Sequence, residues 1–353
     1  MSLSNVTPSR SYLLVSPCRD EAQYLRRTLD SVAAQSVLPA LWVVVDDGST
    51  DETPAILEEY ARRLSYLRIV RRTDRGRRQV GPGVIEAFYA GLETVRLEDF
   101  DYLCKLDMDL DLPVRYFELL MQRMESDPRV GTTSGKPWFV HPQTGALVPE
   151  VCGDEMSVGM TKFYRVTCFK EIGGFVRQVL WDGIDCHRAR MLGWIAESVD
   201  LEPNRFIHLR PQGASHKGIW TERLRVGFGQ YFMGASPFYY LVVVIYRVPT
   251  YPMLIGSAAM LRGYLRSWLK GLPRYDDLEF TRFPASLLAH GQAGRHGPAQ
   301  RRAGLPLACQ PPGSRVADEA HQKDRSARPL LQPFDTVPMA TALARGPGRM
   351  PLT

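Results

Sequence analysis

Four short apolar runs, each followed by a segment with a different rhythm, restrict this chain more than any other feature. Tyr12-Leu-Leu-Val-Ser16 ends at Pro17, Leu41-Trp-Val-Val-Val45 is stopped by Asp46-Asp-Gly-Ser-Thr-Asp51, and Leu67-Arg-Ile-Val70 and Phe100 to Leu106 follow. Runs of this length and character are buried strands. Between them, 20–35 places Leu25, Leu29, Val32 and Ala33 on one helical face. Residues 53–64 read as a second helix capped by Asp51 or Thr53. Residues 83–95 read as a third, carrying Ile85, Ala87, Phe88 and Leu92 inward. Strands alternating with helices give an α/β fold with a mostly parallel, twisted sheet flanked by helices.

In such sheets ligands bind beyond the carboxyl ends of the strands. Three polar clusters fall at those ends: Arg19-Asp-Glu21, Asp46-Asp47 and Asp107-Met-Asp109. The last belongs to Lys105-Leu-Asp-Met-Asp-Leu-Asp111, where carboxylates alternate with apolar residues. Gathered carboxylates raise one another's pKa. A hard cation such as Mg²⁺ or Mn²⁺ removes that cost, and an acidic turn facing water avoids it. Side chains two apart on an extended segment point the same way, so Asp107 and Asp109 can serve one ligand. Asp111, followed by Leu112-Pro113, reads as the cap of the next helix.

At 353 residues, 44% hydrophobic and 23% charged, the chain has material for one large domain or two. Its formal charge is +6, and Lys occurs only seven times among 44 basic residues, so Arg dominates. A nucleic-acid binder would gather this charge in a patch with interleaved aromatics, but here Arg is scattered, which argues against nucleic acid. The one cluster, Arg71 to Arg78, fits a phosphate group or acidic membrane as well as a solvated loop. The six Cys form no C-x-x-C pair and several sit in apolar contexts, which predicts buried free thiols in a reducing compartment. Met1 to Arg10 carries no secretory pattern, so a cytoplasmic location is expected.

From Val130 the alternation weakens. Val130 to Ser134 reads as a strand, Cys168 to Gly174 as a short helix with a glycine cap, and Asp182 to Leu192 as a helix stopped by Gly193. Residues 235–261 are apolar but interrupted by Arg247, Pro249 and Pro252. A single spanning helix needs about 20 apolar residues. With Arg262, Arg266, Lys270, Tyr264 and Trp268 beside it, the segment reads as a helical hairpin dipping into the cytoplasmic leaflet. A buried helix pair without membrane contact is the other reading. The expected division is a catalytic domain over 1–230, an apolar helical pair within 231–275, and a low-complexity, disordered tail over 284–353. That tail has no aromatic residue from Pro284 to Pro333. Its Arg-, Pro-, Gly- and Ala-rich text is also what GC-rich DNA gives when read out of frame.

The first 200 residues resemble the family 2 inverting glycosyltransferases of GT-A fold, in their bacterial exopolysaccharide or cell-surface glycan type. Pro17-Cys-Arg-Asp-Glu21, Val43 to Asp51, Lys105 to Asp109 and Trp181-Asp-Gly-Ile-Asp185 with Gly193-Trp194 carry the resemblance. Thr161 to Arg165 and Cys168 to Gly174 resemble the acceptor side of exopolysaccharide members. The resemblance implies that Pro17, Arg19, Glu21, Asp47, Lys105 and Asp107 hold a nucleotide sugar. It also implies that Asp107 and Asp109 hold Mg²⁺ or Mn²⁺.

An inverting transfer needs one base to deprotonate the acceptor hydroxyl. The family places it in a Glu-Asp pair at a helix start. Counting back from Gly193 puts Asp182 there, with Trp181 in place of the Glu and Asp185 as the alternative. The bland readings are a capping Asp182 and a surface Asp185. The family's processive Gln-x-x-Arg-Trp motif is missing, which implies transfer of one hexosyl unit to a glycan or lipid-linked acceptor at the cytoplasmic face of the inner membrane. His208 and His216 are further candidates for contact with diphosphate or acceptor. A nucleotidyltransferase would want a glycine-rich loop after the first strand, and a degenerate scaffold would bind without turnover.

Overall fold

The structure is a computed structural model that describes residues 10–74, 76, 81–141, 144–150, 152–210, 219–248 and 253–275. The chain order is β1 (Tyr12–Cys18), α1 (Ala22–Ala33), β2 (Leu41–Asp46), α2 (Thr53–Ala61), β3 (Leu67–Arg71), α3 (Pro82–Leu92) and β4 (Tyr102–Leu106). β5 (Leu110–Asp111), α4 (Tyr116–Ser126), β6 (Val130–Gly135), β7 (Pro137–Val140), β8 (Leu147–Pro149) and β9 (Thr161–Arg165) follow. Then come α5 (Val166–Glu171), α6 (Trp181–Met191), β10 (Ile195–Val199), β11 (Phe206–His208), α7 (Ile219–Phe232), α8 (Pro237–Tyr246) and α9 (Met253–Leu269). The tail 284–353 lies outside the described residues, as do His216 and Cys309. Among the described residues Cys18, Cys104, Cys152, Cys168 and Cys186 form no disulfide.

The main sheet runs β10-β6-β9-β4-β1-β2-β3, parallel throughout except for β9, which is antiparallel to β4 and β6. This is the mostly parallel α/β architecture that the alternation predicts. A second sheet, β5-β11-β7-β8, sits at the chain's return. Alternate residues of β1 feed opposite cores. Tyr12 and Leu14 join Leu25, Leu29 and Phe117 beneath α1, α2 and α4, while Leu13 and Val15 join Ile85, Phe88 and Phe169 beneath α3, α5 and α6. Each of these side chains is closed to water, and each burial contributes ~1.5–3 kcal/mol.

Three strands end together. Val15 pairs with Lys105 across β1 and β4, and Cys18 pairs with Asp46 across β1 and β2. The polar residues following each strand therefore leave the sheet side by side.

One expectation changes. Asp111 does not cap α4, which starts at Tyr116; it lies in β5 and pairs with Arg27 at 2.7 Å. The apolar helical pair is α8 and α9, and α7, which the sequence pattern left unread, packs on α9 as a third helix. The two backbones touch at Gly227 and Gly263: a Cβ on Gly227 would lie 2.0 Å from the Met260 carbonyl oxygen. Tyr240 of α8 stacks on Tyr264 of α9 with ring centroids 4.6 Å apart.

Candidate active site

The strand ends build the site from several directions. On the β1 side Pro17, half-buried, pairs with Val45 as the strand closes. Arg19 reaches across to β2, donating from Nη1 to the Asp47 carbonyl at 2.9 Å and from Nη2 to Asp74 at 2.7 Å. Asp46 Oδ1 accepts from the Ser49 amide at 2.9 Å, closing the turn after β2. The Asp47 carboxylate meets Arg72 at 2.8 Å, so one member of the Arg71–Arg78 cluster belongs to the site. Asp51 serves two helices, accepting from Thr53 N at the start of α2 and from Ala22 N at the start of α1.

At the end of β4, Lys105 is buried and its ammonium pairs with Asp107 while donating to the Gly159 carbonyl at 2.9 Å. Burial pushes the Asp107 carboxyl up, the Lys105 charge opposes this, and Asp109 adds to it. Asp109 shifts the opposite way. Burial would raise it too, but His208 and Arg210 outweigh that and hold it below the usual carboxylate range. His208 Nε2 stands 3.7 Å from Asp109 and its Nδ1 lies 2.9 Å from Glu150. Burial would discharge this imidazole, yet the two carboxylates carry its pKa up to about 10, so it is a cation at neutral pH.

Arg210 closes the arrangement. Its guanidinium pairs with Glu21 after β1, approaches Asp109 at 3.4 Å, and lies 5.0 Å from the centre of the Tyr24 ring. The β1 and β4 clusters are therefore joined through one side chain from beyond β11.

Asp182 stands at the start of α6, partly open to solvent. Two residues before it, at the entry to α6, Leu180 lies in the left-handed region at φ 59°, an uncommon conformation for a residue with a side chain. Gly159 separates Asp182 from Lys105: a Cβ there would lie 2.8 Å from Asp182 Oδ2. Only a glycine lets Asp182 come this close to the backbone whose carbonyl receives Lys105. Asp185 is elsewhere. Its carboxylate is 1% exposed, held by Lys162 at 2.6 Å and by the Tyr164 hydroxyl. Trp181 is buried against Phe175, centroids 4.8 Å apart, with Lys105 and Lys162 at 5.2 and 5.7 Å from its ring. Where a glutamate would neutralise these ammonium groups, an aromatic face attracts both.

Among the described residues, no group of three His, Cys, Asp or Glu side chains could hold a metal ion by itself. The two carboxylates at the end of β4 are hard oxygen donors and suit Mg²⁺ or Mn²⁺ whose other ligands come from a diphosphate and water.

Sequence reasoning missed Arg210 and Glu150. Arg210 was open to detection, since it lies only two residues beyond His208. Glu150 follows a three-residue strand and belongs to no motif.

Residues 14–142 match the model of the family described as Glycosyl transferase family 2. No curated protein matches the chain. Among solved structures, GalNAc-T7 with UDP, GalNAc and Mn²⁺ is similar in fold at TM-score 0.51 and 18% identity. That match covers 78% of this chain and 54% of that one, so this chain spans about half its length. The mannosyltransferase PcManGT from Pyrobaculum calidifontis, in complex with GDP-Man and Mn²⁺, gives TM-score 0.49 and 19% identity over 81% of this chain and 80% of that one. S. aureus TarS 1–349 with UDP-GlcNAc gives 0.45 and 16% over 80% of each chain. The part of this chain that carries β1 to β4 and both carboxylates of Asp107-Met-Asp109 is thus the part similar to Glycosyl transferase family 2.

Proposed function

We propose that this chain is an inverting, metal-dependent glycosyltransferase. It moves a hexosyl unit from a nucleotide sugar to a glycan or lipid-linked acceptor, in exopolysaccharide or cell-surface glycan synthesis at the cytoplasmic face of the inner membrane. The observation that carries this reading is the approach of Asp182 to Gly159, whose carbonyl receives the Lys105 ammonium that also pairs with Asp107. One backbone residue thus separates a partly open carboxylate from the end of β4, with the β1 and β2 clusters beside it.

The residues divide the work. Pro17, Arg19, Glu21 and Asp47 line the nucleotide side. Asp107 and Asp109 supply the carboxylates for Mg²⁺ or Mn²⁺, which when bound stabilises charge on the departing diphosphate. His208 and Arg210 hold Asp109 ionised and Lys105 pairs with Asp107, so neither carboxylate stands uncompensated. Asp182 takes the proton of the acceptor hydroxyl as its oxygen bonds to the anomeric carbon and the bond to the diphosphate breaks. Asp185 is a positioning residue, since Lys162 holds both its carboxylate and the Asp182 carbonyl.

The test is a donor screen by thermal shift with UDP-, GDP- and dTDP-sugars and Mn²⁺, followed by donor hydrolysis. A ligand that binds the folded chain raises its melting point. Affinity without turnover would mark a binding scaffold, and no affinity for any donor would overturn the assignment.

A further inference from the structure

The helical layer presents a face that no described residue covers. On α8, Phe238, Leu241 and Ile245 recur at helical spacing and stand exposed, Phe238 by 79%. On α9, Leu254, Ala258, Leu265 and Leu269 form one stripe, with Leu254 exposed by 69% and Leu269 by 76%. Ile255 and Trp268 flank it, also exposed. The opposite face of α9, with Met260 and Tyr264, packs against α7 and α8. Six residues, 247–252, join α8 to α9, so the two exposed apolar stripes follow one another closely along the chain.

Charge decides what this face meets. Residues 253–275 contain Arg262, Arg266, Lys270 and Arg274 and no acidic residue. Arg262, Arg266 and Lys270 are exposed, Arg262 within the apolar stripe and the other two along its edge. A second copy of the same face would set these cations against one another. An anionic lipid surface accepts both parts, the apolar side chains among its acyl chains and the cations at its phosphates. Among the described residues no helix is long and apolar enough to cross a membrane.

We infer that the exposed face of α8 and α9 lies in the headgroup region of an anionic membrane. Phe238, Ile245, Leu254, Ile255 and Leu269 enter the acyl boundary, while Arg262, Arg266 and Lys270 meet lipid phosphates. This gives the partner surface for the transfer proposed above and rests on that reading only for its purpose.

The experiment is co-sedimentation of the full chain with phosphatidylcholine vesicles, with and without phosphatidylglycerol. The chain is expected to sediment with the anionic vesicles and to be released by salt. Arg262→Ala with Arg266→Ala should weaken binding by about fivefold for each charge removed. Leu254→Glu with Ile255→Glu should abolish it while leaving the thermal shift by donor unchanged. Indifference to phosphatidylglycerol would overturn the inference, as would unaltered sedimentation of both variants. So would a wild-type dimer in light scattering that Leu254→Glu with Ile255→Glu splits, because the face would then bind a second copy. A chain that binds vesicles but no nucleotide sugar would leave this inference standing and remove the transferase reading.

Discussion

The Lys162 ammonium lies 2.6 Å from Asp185 Oδ2, both side chains closed to solvent, and the same nitrogen donates to the Asp182 carbonyl at 2.7 Å. The pair thus fastens the first turn of α6, where Asp182 emerges. Removing one partner of a buried pair leaves an uncompensated charge and costs ~3–5 kcal/mol, whereas replacing both with apolar residues of similar size is often neutral. Lys162→Met should therefore destabilise the fold strongly, and Lys162→Met with Asp185→Leu should recover most of the loss in urea denaturation. Equal destabilisation by the single and double variants would contradict this account.

The base and its anchor respond differently. Asp182→Asn should lower turnover by about 10²–10⁴-fold with donor affinity and melting point preserved. Asp185→Asn should lower the melting point first. Steady-state kinetics beside thermal melts separate the two. If Asp185→Asn abolished turnover in a fully stable protein and Asp182→Asn did not, the roles would be reversed.

Asp107 and Asp109 should matter through the cation. Asp109→Asn should make donor binding insensitive to Mn²⁺ and reduce turnover by about 10²–10³-fold. Chelation of divalent ions should do the same to wild type. Isothermal titration of the donor with and without Mn²⁺ reads this directly, and wild-type behaviour in the variant would remove the metal from the mechanism.

Gly227→Ala tests the α7–α9 contact. The added methyl would stand 2.0 Å from the Met260 carbonyl oxygen, so the helices must part. Overpacking of this kind costs ~1–3 kcal/mol or more. The α7–α9 packing should loosen, visible as faster amide exchange in α9. Unchanged exchange would mean that the helices do not cross at this point.

His187 predicts acid sensitivity. Burial lowers its pKa to about 3, and the nearby Arg190 charge adds to the shift. Its unfolded value is about 6.5. Above that value the imidazole is neutral in both states. As pH falls below it the unfolded chain takes up a proton that the folded chain refuses, so stability declines by ~1.4 kcal/mol per pH unit down to about 3. His187→Gln should flatten that limb of the stability profile, which urea titrations between those pH values would reveal.

Much of the site was legible because parallel strands announce themselves. β1, β2 and β4 are short apolar runs, and the polar residues that interrupt them, Arg19, Glu21, Asp47, Asp107 and Asp109, had to leave the sheet on one edge. The burial of Asp185 was not legible, for a local reason. Three residues from Asp182 on a helix, it shares a face by spacing alone, and nothing nearby in sequence says that Lys162 and Tyr164 of β9 will enclose it. Asp111 misled in the same way, since its partner Arg27 is far along the chain.

By itself the sequence determined the order of strands and helices through β4 and the edge where the carboxylates gather, because both follow from periodicity and from the cost of burying polar groups. Only the tertiary structure decided what each carboxylate touches. Arg210 spans Glu21 and Asp109, His208 is charged between Asp109 and Glu150, and Gly159 admits Asp182 beside Lys105. These are contacts between distant segments, and Coulomb and steric energies depend on separation in space, which spacing along a chain does not reveal.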